Sequence, residues 1–120
     1  MSRKILFTLR HAPYGSAIAR EALDALLATA VFGQDISVLF MDDGVFQLLP
    51  KQSPEALPQK TLSSSLSALP LYDVEKLYVH APSLEARGLT KDELALDGLV
   101  SLTSEEVATL FGEQDHLLSF

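Results

Sequence analysis

The sequence predicts an α/β sandwich on a five-stranded, mainly parallel sheet. Two observations lead there. Short runs such as Ile5 to Leu9 and Ile36 to Phe40 are apolar almost throughout rather than alternating. Strands covered on both faces look like this, and such strands belong to parallel sheets. Between the runs lie segments with helical spacing, so the order is strand–helix repeated, which calls for right-handed crossovers. At 120 residues the chain has the length of about one domain, read as 1–120.

The first strand is Ile5 to Leu9, followed by a loop His11-Ala12-Pro13-Tyr14-Gly15. Ser16 suits a helix N-cap, and a helix is expected from Ala17 to Phe32. Its apolar surface is Ile18, Ala22, Leu23, Leu26, Leu27, Ala30 and Val31, and six alanines keep it slim enough to lie close to a sheet. Gly33 stands where a C-terminal glycine stop belongs. Ile36 to Met41 is the second strand. Asp42, Asp43 and Gly44 then turn the chain into a short apolar segment, Val45 to Leu49, which ends at Pro50. Lys51 to Lys60 reads as a loop, and Thr61 to Leu71 as a helix stopping before Pro70. The third strand is Lys76 to His80. A short helix capped by Ser83 and closed by Gly88 follows, then a turn over Thr90 to Ala95 and a fourth strand, Leu99 to Leu102. Thr103-Ser104-Glu105-Glu106 has hydroxyls at the cap and acids in the first turn, so a helix runs from there to Phe111. His116 to Phe120 is the last strand.

Composition limits the function classes. Sixteen acids against nine Lys and Arg give a formal net charge of −7, a poor surface for a phosphate backbone, so direct nucleic-acid binding by this chain is not expected. The absence of cysteine excludes disulfides, thiolate metal sites and a cysteine nucleophile, and fits a reducing compartment. No apolar run approaches the roughly 18 residues of a membrane span. The basic-then-apolar start is too short for a signal peptide and reads as a strand. A cytoplasmic location is expected.

No glycine-rich dinucleotide loop, phosphate-binding loop or nucleophile elbow is present, and no metal or cofactor is expected. Position carries more information than motif. Open α/β sheets bind ligands at the carboxyl ends of their strands. His11 follows the first strand, Asp42 and Asp43 the second, and His80 the third, so these four form a candidate polar site on one edge, while His116 lies at the other. The competing reading is that strand ends are polar because loops are wet. Asp43-Gly44 could hold an anion or metal, or cap the next helix. Arg87-Gly88 could bind phosphate, or close a helix. Tyr14 and Tyr72 could be interface anchors or ordinary half-buried tyrosines. Ser63, Ser64 and Ser65 lack a visible base.

The segment Val45 to Leu49 is interrupted only by Gln47. A helix covering a sheet in a monomer needs one apolar stripe, not a nearly continuous coat. Either this turn is buried on two sides or it meets another subunit. We read Val45, Phe46, Leu48 and Leu49, with Tyr72, as a subunit interface.

Several pieces, in order, resemble the TusC/DsrF branch of the DsrE/DsrF/DsrH-like family. They are His11-Ala12-Pro13-Tyr14-Gly15, the run Arg20 to Ala28, Asp43 to Pro50, Leu71-Tyr72-Asp73, and Ser83-Leu84 with Arg87-Gly88-Leu89. The resemblance implies a three-layer α/β/α fold. It implies a dimer of heterotrimers with TusB-like and TusD-like sister subunits. Such a complex relays persulfide sulfur from a TusA-like carrier towards 2-thiolation of wobble uridine in tRNA, or serves sulfur oxidation in a DsrEFH counterpart. In the TusD/DsrE sisters the sulfur-carrying cysteine ends the third strand; by that pattern His80 stands in its place here, and an imidazole cannot carry a persulfide. A non-catalytic structural subunit is therefore the leading expectation. The rivals are acid/base work by His80 with His11 or Asp42, and a freestanding small-ligand-binding module.

Overall fold

The computed structural model describes residues 3–12, 18–49, 66, 68–94, 96 and 98–120. Among them five strands form one sheet: β1 (Lys4–Leu9), β2 (Asp35–Phe40), β3 (Lys76–His80), β4 (Leu99–Leu102) and β5 (His116–Ser119). Their spatial order is β4-β3-β2-β1-β5, and every pairing is parallel. The helices are α1 (Ile18–Ala30), α2 (Ala81–Ala86) and α3 (Ser104–Gly112), joined by 3-10 turns η1 (Asp42–Leu48), η2 (Leu69–Tyr72) and η3 (Lys91–Glu93).

From β1 to β4 the chain steps in one direction across the sheet; from β4 to β5 it crosses back past three strands. Right-handed crossovers put connections running in opposite directions on opposite faces. The packing follows this. Alternate strand residues Phe7, Leu9, Val38, Phe40 and Val79 meet Ala22, Leu23 and Leu26 of α1, together with Val45, Leu48, Leu69 and Leu84. The other face buries Leu6, Leu39 and Leu102 under Val107 and Leu110 of α3.

Local signals explain most boundaries. Gly33 has φ +73 just beyond α1, as a glycine stop requires. Thr103 and Glu106 form a reciprocal capping box on α3, and Thr90 and Glu93 do the same on η3. Two expectations change. The short third helix starts at Ala81, not Ser83: His80 is its N-cap residue, and Pro82 fits the first turn, where no amide donor is needed. Leu69 to Tyr72 forms a 3-10 turn that contains Pro70 rather than stopping before it. Ser16, Tyr14, the loop Lys51 to Lys60 and the serine triplet lie outside the described residues, as does most of the helix expected from Thr61.

The apolar coat of η1 also finds its reason. Val45 is 0% and Leu48 1% exposed, both in the chain's own core on the α1 face. They have no surface left to give to a partner, so the interface reading is corrected for these two. Phe46 and Leu49 remain half-buried. Tyr72 is exposed, but it precedes β3 at the amino-terminal edge, whereas η1 leaves β2 at the carboxyl edge. A strand of six residues separates those edges by roughly 20 Å, so Tyr72 does not continue the patch of Phe46 and Leu49.

Candidate functional site

The parallel sheet brings the carboxyl ends of β1 to β4 together, and with them most of the polar residues singled out above. Asp42 follows β2 in a left-handed conformation, φ 51, which aspartate tolerates better than most residues. Two contacts hold it there. Arg10 donates from Nε to Asp42 Oδ2 at 2.7 Å, and the Asp42 backbone N–H donates to Ser83 Oγ at 2.9 Å. Gly44 then lies against the end of β1 so closely that a Cβ would sit 1.8 Å from the Leu9 carbonyl oxygen. Only glycine permits that approach.

His80, at the end of β3, is hydrogen-bonded on both ring nitrogens: Nδ1 to Ser83 Oγ at 2.7 Å and Nε2 to Ser104 Oγ at 2.9 Å. Ser83 Oγ also accepts the Asp42 N–H, so one hydroxyl links the imidazole to the turn after β2, and each ring nitrogen has a serine hydroxyl as its partner. The chain of contacts Arg10–Asp42–Ser83–His80–Ser104 thus ties together the ends of β1, β2 and β3, the start of α2 and the start of α3.

Asp43 does not cap η1. The residue before η1 is Met41, whose side chain makes no cap bond. Asp43 instead takes Arg87 Nε and Nη2, each at 3.0 Å, while Arg87 Nη1 donates to the Ser83 carbonyl at 3.2 Å. Arg87 therefore does more than close a helix: it fastens α2 to η1. Both carboxylates are paired, and among the described residues no three His, Asp or Glu side chains come together as a metal site would need.

His11 is the member left out. The contact here is its carbonyl, which accepts from Gln47 Nε2 at 2.8 Å; the described contacts do not bring its imidazole to Asp42 or His80. Gln47 explains the single polar residue in the apolar segment: it is buried and pins η1 to the loop after β1, and among the described residues its Oε1 has no hydrogen-bond partner. Sequence reasoning missed Arg10, Ser104 and Gln47. It also took Ser83 for a cap because its partner, three residues back, belongs to the preceding strand. The signal for Ser83 was local spacing to His80; Ser104 offered none, since its partner is 24 residues away.

The sequence profile of the DsrE/DsrF-like family matches residues 3–120. This chain belongs to the DsrE/DsrF-like family. Within it, the chain is 48% identical to a TusC homolog of Pseudomonas aeruginosa, covering 80% of this chain and 81% of that protein. It is 39% identical to the intracellular sulfur oxidation protein DsrF of Allochromatium vinosum, covering 98% of this chain and 96% of that one. A TusC homolog of Vibrio parahaemolyticus is 39% identical, with 98% of each chain covered. The crystal structure of the E. coli ychN protein has the same fold at TM-score 0.76 and 24% identity, covering both chains in full. The DsrE/DsrF-like sheet, parallel throughout with helices on both faces, is the three-layer sandwich that the resemblance implied. Among the described residues no helix is long and apolar enough to cross a membrane.

Proposed function

We propose that this chain is a non-catalytic structural subunit of a TusBCD-type sulfur-relay complex in the cytoplasm, and that it supports persulfide transfer for 2-thiolation of wobble uridine in tRNA. The observation that carries the reading is a chain without cysteine that is 48% identical to a TusC homolog over 80% of its residues and 39% identical to a DsrF protein over 98% of them. A persulfide needs a thiol to ride on, and this chain has none, so the sulfur-bearing residue sits in a TusD-like sister. A TusB-like sister completes the trimer, and a TusA-like carrier delivers to the sister rather than to this chain. His80, held by two serines, fastens the carboxyl edge instead of handling sulfur. Phe46 and Leu49, half-buried at the carboxyl edge, contribute to a subunit contact, and Tyr72 to a separate one.

Native mass spectrometry of a tagged copy purified gently from its own cells tests this. The expected species is hexamer-sized, with two further subunits of about this length, one of them bearing a cysteine. A monomer or a pure homo-oligomer overturns the reading. Within the complex, Phe46→Asp with Leu49→Asp abolishes assembly while the chain stays folded, and His80→Ala leaves sulfur transfer intact. A second reading, a DsrF-type subunit in sulfur oxidation, is favoured by the likeness to the DsrF protein over 98% of this chain. Co-purification with a sulfite-reductase system rather than with tRNA-thiolation enzymes selects it.

A further inference from the structure

On the α3 face of the sheet, a polar corner at the carboxyl end of β1 is left open by the contacts described above. Thr8, on β1 between β2 and β5, is 5% exposed. Its partner in register on β5 is Ser119, and register partners carry their side chains on the same face of a sheet. The two hydroxyls are therefore neighbours. Arg10 follows two residues after Thr8, on that face again. Among the described residues the Thr8 hydroxyl has no hydrogen-bond partner, and of the Arg10 guanidinium only Nε is engaged, by Asp42. A buried hydroxyl without a partner is uncommon, because burial without a hydrogen bond costs free energy.

These groups line one end of a groove of about 370 Å³, whose other described lining residues are Met41, Phe111, Leu117 and Leu118. That volume lies within the roughly 300–1,000 Å³ of small-molecule sites, which are mostly apolar with a few convergent polar groups. The groove also lies at the carboxyl edge, where open α/β sheets hold their ligands. Leu117 stands two residues before Ser119, so the apolar part of the groove runs back from the polar corner along β5. Arg10 is the one charged side chain among the described lining residues.

We propose that this groove binds a small organic carboxylate with an apolar body, of the type of a medium-chain fatty acid. The two Nη groups of Arg10 offer N–H donors in the planar arrangement that matches a carboxylate. The Thr8 and Ser119 hydroxyls donate to the same head group, which gives the buried Thr8 hydroxyl its missing partner. The alkyl body covers Phe111, Leu117 and Leu118 and takes their surface out of water. Charge selects an anion: a cation meets Arg10 with no carboxylate in the described lining, and a neutral alcohol forgoes the charge-assisted bonds. Asp42 takes the Nε side of Arg10 and steadies the guanidinium from outside the groove. It also offsets part of the charge, so the affinity is modest. Thr8 selects a free acid over a protein surface, because a hydroxyl so deep on the sheet is reached by a slim head group and not by a broad contact.

This site is independent of the sulfur-relay reading and is tested on the full chain with octanoate as the probe. In an amide NMR titration octanoate is expected to shift Thr8, Arg10, Leu117 and Ser119 along one saturating curve in the low-millimolar range. Octanol, with the same body and no charge, is expected to bind about tenfold more weakly, the scale of a charge-assisted hydrogen-bonded pair, and octylammonium more weakly still. Arg10→Gln brings octanoate down to the level of octanol. Because Arg10 also holds Asp42, Leu117→Glu is the second variant. It leaves that pair alone, places a like charge in the groove and weakens octanoate about tenfold. Circular dichroism confirms that both variants are folded. Octanol binding as tightly as octanoate overturns the assignment of an anion. Shifts that do not saturate, or that are as large away from the groove as in it, overturn the site, and so does octanoate binding unchanged in both variants.

Discussion

Among the described residues the buried cluster on the α1 face has seventeen members and the one on the α3 face five: Leu6 and Leu39 are fully buried there too, but Met41, Tyr78 and Phe111 around them keep part of their surface. Both faces belong to the same strands, so strand sequence alone does not make the difference. The crossovers do. The α1 face receives the connections that step along the sheet, and these bring α1, η1 and η2 to it. The α3 face receives the one that returns. From β4 to β5 is four strand spacings, about 19 Å, whereas one helix with its side chains is only about 10–12 Å across. The single helix α3 covers part of that width, and a groove lined by Met41, Phe111, Leu117 and Leu118 lies beside β5. The depth of each layer is set by the path of the chain.

The comparison is broken most directly by removing one large side chain from each face. Phe40→Ala takes a fully buried ring from between the sheet and the α1 layer, with an expected loss of about 3–5 kcal/mol in a urea titration. Leu110→Ala removes a side chain of α3 that is 7% exposed. There the neighbours can close in and water can reach the gap, so about 2 kcal/mol is expected. Equal losses would sink the claim that the two layers differ in depth.

Between these two falls a change that probes closeness rather than volume. Gly44→Ala drives a Cβ into the backbone at Leu9, which cannot swing away as a side chain would. Either η1 lifts off the end of β1 or the strand end shifts; we expect about 3 kcal/mol of destabilisation. Because Asp42 and Asp43 ride on η1, the contacts Arg10–Asp42 and Arg87–Asp43 loosen with it. Faster amide exchange over Asp42 to Leu48, measured by hydrogen–deuterium exchange, is the signature. Protection equal to that of the native chain would mean that the turn accommodates a methyl group.

The parallel sheet was legible in the sequence because Ile5 to Leu9 and Ile36 to Phe40 are apolar on both faces, and the caps at Gly33 and Thr103 because they are local. The position of β5 beside β1 was not legible, since nothing in a strand's sequence names its neighbour. The apolar residues of η1 exceed what one face of a surface helix needs, and the sequence does not say where the excess goes: half of it, Val45 and Leu48, belongs to the chain's own core. Likewise three of the four polar residues at the strand ends came together as topology required. The groups that join them, Arg10, Ser83, Ser104 and Arg87, look like punctuation in the sequence because each does its work across elements.

At the amino-terminal end the thinner face is finished with charge rather than with apolar cover. Lys76 on β3 donates to both oxygens of Asp35 on β2, at 2.9 and 3.0 Å. This hydrogen bond to the Asp35 carboxylate, opposed by slight desolvation and helped by its charge, holds the ammonium above its ordinary value near 10.5. A group whose folded value is raised binds its proton more tightly in the folded chain. Its contribution to stability is therefore complete below the unfolded value and is lost as the pH rises through the folded one. Both side chains are partly exposed, 52% and 31%, so solvent screens the pair and a few tenths of a kcal/mol is the expected scale. Lys76→Met should lower stability by that amount at pH 7, and the gap to the native chain should close above about pH 10.5. A gap that persists unchanged at pH 11 would assign the loss to something other than the ion pair with Asp35.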